Sequence, residues 1–120
     1  MLSTSAPLSP QLFRAVAAPR RQAILRLVWD RELSAGEIHT ALGDVSFGAI
    51  SQHLSVLESA GALSRRPDGR RRLYRAQPAA LGPLAEWLER SWSEALWELK
   101  IQAEMEEARR GPRPRRRKRR

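Results

Sequence analysis

The sequence predicts a mainly α-helical fold with one small β-hairpin, and three observations predict it. Apolar residues recur every three or four positions in short runs, each opened by proline or a serine cap. One arginine-rich stretch, residues 63–75, breaks that rhythm around Asp68-Gly69. The last run, from about Pro78 to Ala108, carries a leucine and tryptophan stripe longer than the small domain before it can cover.

Residues 1–8 are expected to be a flexible start, and the folded domain is expected over 9–108. Ser9-Pro10 pairs an N-cap with a proline at the first helical position, where the missing N–H is no loss. That helix runs to about Ala17, with Leu12, Phe13 and Val16 on one side. Pro19 opens a second helix, to about Trp29, whose core candidates are Ile24, Leu25, Leu27 and Val28. Residues 30–33 read as a connection. Ser34-Ala35-Gly36-Glu37 matches a capping box, in which serine and glutamate each accept a bond from an orphan amide. Its helix holds Ile38, Ala41 and Leu42. Gly43-Asp44-Val45 is a turn, Ser46 caps the next helix, and Gly61 stops it. Two short helices joined by a glycine-containing turn make a helix-turn-helix.

The second helix of that pair has two faces. Ile50, Leu54 and Leu57 form an apolar stripe. Ser46, Ser51, Gln52, His53 and Ser55 lie off it; they hydrogen-bond readily and none is acidic. Such a face suits base edges and phosphates.

In the hairpin, Asp68-Gly69 supplies turn residues that accept positive φ, and Pro67 fits an edge or loop position. It carries six arginines and one acid, with only Leu63, Leu73 and Tyr74 to anchor it. It must lean on a neighbour and turn its arginines outward.

In the terminal run Leu81, Leu84, Leu88, Trp92, Ala95 or Leu96, Leu99 and Ala103 step by three and four, and Pro83 is an alternative start. The stripe packs either within the chain or against a second copy. The dimer is preferred, with Leu12, Leu84, Leu88, Trp92, Leu96 and Leu99 at its interface. Residues 109–120 are low-complexity, proline-broken and expected to be disordered.

The net charge of +9 belongs entirely to residues 109–120, which hold eight arginines and Lys118. Residues 1–108 carry 13 basic and 13 acidic groups, the basic ones concentrated in the hairpin and the acidic ones in the terminal helix.

Several functions are set aside. There is no cysteine, hence no disulfide or thiolate metal site. No apolar run approaches the ~20 residues of a membrane span, and the N-terminus is unlike a secretory signal. A cytoplasmic protein is expected. Ser51 and His53 are two apart on a helix and do not face each other, and no glycine-rich phosphate loop is present. The only histidines, His39 and His53, fall on different helices and neither is on the terminal one. No catalytic site, metal or cofactor is expected.

The order helix, helix, helix-turn-helix, arginine-rich wing, long terminal helix resembles the ArsR-type winged helix-turn-helix repressors of bacteria, over roughly residues 10–100. Ala18-Pro19-Arg20-Arg21-Gln22-Ala23-Ile24-Leu25 is similar to the family's "DPTRRAIL" opening. Leu33-Ser34-Ala35-Gly36-Glu37-Ile38, the stretch Ile50 to Leu57, Ala60-Gly61-Ala62-Leu63 and the wing Asp68 to Arg75 follow in the family's order. Two departures stand out. The family's common "VSQPAVSQHL" has Gln and Pro where this chain has Phe47 and Gly48, and one extra residue lies between Gly43 and Ser46. Phe47 either packs inward or touches a thymine methyl.

Together the residues and the resemblance imply a homodimeric, sequence-specific regulator of double-stranded DNA, a repressor acting at a promoter. Its DNA-binding residues are expected to be Ser46, Phe47, Gly48, Ser51, Gln52, His53 and Ser55 on the helix and Arg65, Arg66, Arg70 and Arg71 on the wing. Arg20 and Arg21 are candidates for phosphate contacts or interface salt bridges. The alternatives are a winged-helix protein-interaction module and a non-specific nucleic-acid binder driven by the tail. The effector cannot be read from the chain.

Overall fold

The computed structural model describes residues 9–110. The expected flexible start, 1–8, and most of the expected tail lie outside them. Elements run α1 (Pro10–Ala17), α2 (Pro19–Leu27), β1 (Leu33–Ser34), α3 (Ala35–Leu42), α4 (Phe47–Ser59), β2 (Leu63–Asp68), β3 (Arg71–Ala76), α5 (Pro78–Leu81) and α6 (Pro83–Arg110). The helix-rich fold with a small sheet agrees with the sequence reading.

The first compact unit ends at Glu86. Local chemistry sets its helix ends. Ser9 Oγ accepts from the Leu12 amide at 3.0 Å, so α1 starts at Pro10. Ser34 and Glu37 form the expected capping box, at 3.1 and 2.8 Å. Gly43 leaves α3 at φ 72°, a conformation that favours glycine. Helix α4 ends in a Schellman arrangement: Gly61 takes φ 87°, its amide donates to Glu58 O, and the Ala62 amide reaches back to Leu57 O.

The core of this unit is aliphatic. Val16, Ile24, Leu25, Val28, Ile38, Ile50, Leu54 and Leu57 are buried, and no polar or charged residue is buried among those described. Helices α1, α2 and α3 each pack against α4, which is therefore the central element. Strand β2 follows it and also packs against it.

The sheet differs from expectation. It has three antiparallel strands in the order β1-β3-β2, because Leu33 and Ser34 pair with Tyr74 and Leu73. The last residue of the stretch read as a connection, Leu33, and the cap Ser34 thus form a short edge strand. The hairpin turn also shifts by one residue. Asp68 pairs with Arg71, so the two-residue loop is Gly69-Arg70, and only Gly69 has positive φ. Pro67 sits on β2, an edge strand, where a missing N–H is tolerated.

The terminal run is two helices instead of one. Gly82 takes φ 56° and ψ −131°, a conformation essentially restricted to glycine, and it separates α5 from α6. Pro83 is the start of the long segment, which continues two residues past Ala108. The second compact unit begins at Trp87 within this helix. In it Leu96, Leu99 and Met105 are exposed, as is Trp87. No helix among the described residues is long and apolar enough to cross a membrane.

Candidate nucleic-acid interface

Helix α4 is placed by its ends and by one face. Ser46 Oγ accepts from the Ala49 amide at 3.1 Å, fixing the first turn. Ile50, Leu54 and Leu57 are buried, so residues half a turn away must point outward. Gly48, Ser51, Gln52 and Ser55 are all exposed. The side chains of Ser51, Gln52 and Ser55 have no hydrogen-bond or ion-pair partner among the described residues. They form a face of free donors and acceptors without an acid.

His53 stands apart from them. It is half-buried, and its Nδ1 lies 3.3 Å from Arg21 NH1. A guanidinium only donates, so Nδ1 accepts and is unprotonated there. Burial, then the charges of Arg21 and Arg20, lowers the His53 pKa. His53 therefore lies on the α2 flank of the helix, away from Ser51, Gln52 and Ser55.

Phe47 is 49% exposed at the first turn. Its ring meets His39 edge-on, with centroids 5.7 Å apart and planes at 82°. His39 Nε2 donates to Val45 O at 2.9 Å, bridging α3 and the turn. Phe47 has not packed into the core.

Arg20 and Arg21 both act within the chain. Arg20 holds Asp44 in the turn with two bonds, 2.5 and 2.7 Å long. Those hydrogen bonds hold the Asp44 carboxyl below the usual carboxylate range. Arg21 Nε donates to Ala15 O at 2.7 Å and its NH2 to Arg14 O at 3.3 Å, satisfying carbonyls at the end of α1.

The wing arginines divide into two sets. Arg65 pairs with Glu58 of α4 at 2.9 Å. Arg66 makes a two-pronged contact with Glu32, at 2.7 and 2.8 Å, which lowers the Glu32 pKa. Arg71 lies 3.3 Å from Asp68 and 3.6 Å from Glu37. Arg70 and Arg72 have no partner among the described residues. With Gly36, Phe47, Pro67 and Arg71 they line an open depression of about 650 Å³ between the start of α3, the start of α4 and the wing.

Sequence patterning alone does not single out Arg72. Its alternation with its neighbours on β3 was readable; that acids claim Arg65, Arg66 and Arg71 was not. Those partners come from positions such as Glu32, 34 residues away in the chain.

Of the expected interface leucines, Leu12, Leu84 and Leu88 are buried in the single chain and Trp92 is half-buried. Leu96 and Leu99 are 50% and 62% exposed. Among the described residues no group of three His, Asp or Glu is placed to hold a metal ion.

Comparison with known proteins decides the family. The model of the bacterial regulatory protein, arsR family, matches residues 18–64, from the start of α2 through the helix-turn-helix into β2. The HTH-type transcriptional regulator Rv2034 of Mycobacterium tuberculosis is 39% identical over 84 residues, which span 70% of this chain and 78% of that protein. The chain belongs to the ArsR family.

This ArsR-family chain is a DNA-binding transcription regulator with a winged helix-turn-helix fold. It is also similar to the transcriptional activator HlyU of Vibrio cholerae, 33% identical over 84 residues. The solved HlyU structure aligns with a TM-score of 0.61 at 32% identity, over 69% of this chain and 89% of that one. A Mycobacterium bovis protein, Mb0332, solved as a homodimeric winged helix-turn-helix DNA-binding domain, aligns with a TM-score of 0.61 at 29% identity, over 72% of this chain and 79% of that one.

Proposed function

We propose that this regulator is a cytoplasmic homodimeric repressor that reads DNA with α4 and grips it with the wing. The observation that carries the reading is the outward face of α4. Among the described residues Ser51, Gln52 and Ser55 stand exposed, unpartnered and acid-free, flanked by a wing whose Arg70 and Arg72 also have no partner there. Gly48 lets a groove edge approach the helix backbone. Two such helices in a dimer address half-sites about one helical turn, ~34 Å, apart. The homodimeric form in which Mb0332 was solved supports a dimer here. The exposed Leu96 and Leu99 of α6 are the apolar groups a second copy would cover.

Selection of bound fragments from a genomic library tests the reading. A roughly palindromic duplex, bound as a dimer by sedimentation at micromolar concentration, is the expected result. Leu99→Glu should yield monomers, because it would bury an unpaired carboxylate at the interface. Binding with no preference among duplexes would favour a tail-driven non-specific binder, and no binding a protein-interaction module. The sign of regulation has a second reading, since the HlyU relative is named an activator. A reporter gene behind the selected site decides it: repression lowers output when the regulator is present, activation raises it.

A further inference from the structure

The first turn of α4 holds an aromatic ring that the core does not use. Phe47 is half-exposed, whereas Ile50, Leu54 and Leu57 of the same helix are fully covered. Helical spacing sets it one turn before Ser51, at the edge of the outward face. Its neighbour Gly48 has no side chain to shield it.

The ring is nevertheless held. His39 supports it edge-on, and His39 is itself anchored by its bond to Val45 O. A carbonyl only accepts, so the Nε2 proton is fixed in that bond and the imidazole presents a constant surface to the ring. Three arginines, Arg70, Arg71 and Arg72, line the same depression, with uncharged residues such as Gly36, Pro67 and Tyr74 between them. The site thus asks for a polyanion that carries an apolar group a few ångströms inside its phosphate edge. In the major groove of DNA one such group exists, the C5-methyl of thymine.

We propose that Phe47 is a specificity-determining residue that reads a thymine methyl in each half-site, and that His39 is the positioning residue for its ring. The inference rests on the reading of α4 as the DNA-reading helix, and the experiment separates the two.

Each thymine of a selected operator is replaced in turn by deoxyuridine, which removes the methyl and leaves pairing intact. One thymine per half-site should lose about 4-fold in affinity, the effect of uncovering one buried methyl. Phe47→Ala should bind the thymine and deoxyuridine duplexes equally, and Phe47→Leu should keep part of the difference. His39→Ala should shrink the difference while affinity for the deoxyuridine duplex stays within about twofold. Gln52→Ala should leave the difference intact. Indifference to deoxyuridine at every position overturns the assignment while leaving α4 as the reading helix. So does a 4-fold difference that survives Phe47→Ala. A selection that returns no preferred duplex overturns the parent reading and this inference with it.

Discussion

Helix α4 and the wing both turn polar side chains to solvent, but they differ in what those side chains already hold. On α4 Ser51, Ser55 and Gln52 are exposed and have no hydrogen-bond partner among the described residues. On the wing, Arg65, Arg66 and Arg71 are engaged by Glu58, Glu32, Glu37 and Asp68. A free hydrogen-bonding group exchanges only water for a base edge. A paired arginine must first release its carboxylate, and a net gain is correspondingly small. On the proposed reading, the difference gives the two regions separate work: discrimination would come from α4, and phosphate grip from wing arginines that no acid engages, Arg70 and Arg72 among them. Arg65 and Arg66 hold the wing in place, the first to the end of α4 and the second to the segment before β1.

The largest break in this comparison removes the platform the two regions share. Leu54 is 1% exposed in the middle of α4, on the element that α1, α2, α3 and β2 all touch. Leu54→Ala should destabilise the fold by about 2–5 kcal/mol, the range for a buried leucine truncated in a core. Urea denaturation measures it. Little change would mean that α4 is anchored by its ends alone.

A smaller and more selective effect is expected on the reading face. Gln52→Ala should lose ~1–3 kcal/mol of discrimination between the selected duplex and random DNA, the worth of one two-pronged base contact. Its affinity for random DNA should hold. Fluorescence anisotropy on both duplexes gives the ratio; an intact ratio would move the reading function off this face.

The wing should answer in the opposite manner. Arg70→Ala or Arg72→Ala should weaken all sequences alike and reduce the salt slope by ~1 each, if each neutralises one phosphate. Arg65→Ala and Arg66→Ala should change the slope less, because acids already hold those guanidinium groups. Equal slopes for all four variants would mean that free and engaged arginines do not differ in their hold on phosphate.

The two regions were not equally legible in the sequence. The outward polar face of α4 was visible because it depends on local order alone: a serine cap, a three-and-four leucine pattern and the residues between. The capping box over Ser34 and Glu37 was visible for the same reason. The wing's internal economy was not, since whether an arginine is free depends on acids brought near by tertiary packing, as Glu32 is to Arg66. Strand β1 escaped because two residues cannot display an alternation. The break at Gly82 was half-visible: Pro83 marked a helix start, while the continuing leucine period argued for one helix. The surroundings of His53 were not legible, for it lies between the polar and apolar arcs, and its contact with Arg21 depends on tertiary packing.

That last residue gives the mildest test of the comparison, because it asks whether α4's flank takes part in reading. The His53 pKa is lowered in the folded protein, by burial first and then by Arg21 and Arg20. The unfolded chain, with an ordinary histidine pKa of about 6.5, therefore binds the proton more readily. Stability from this site is present above that pH and is lost as pH falls through the lower, folded-state pKa. The carboxylates held low by arginine, Glu32 and Asp44, have the same sign but act further into acid, below the ordinary carboxylate range. A denaturation series from pH 7.5 to roughly 4.5 should isolate the histidine. His53→Gln, which keeps an acceptor for Arg21 and cannot take the proton, should flatten the upper part of the profile. The same variant should keep the specific-to-random binding ratio that Gln52→Ala loses. A flattened profile with the ratio kept places His53 in the packing of α4 on α2. A lost ratio with an unchanged profile would return it to the reading face.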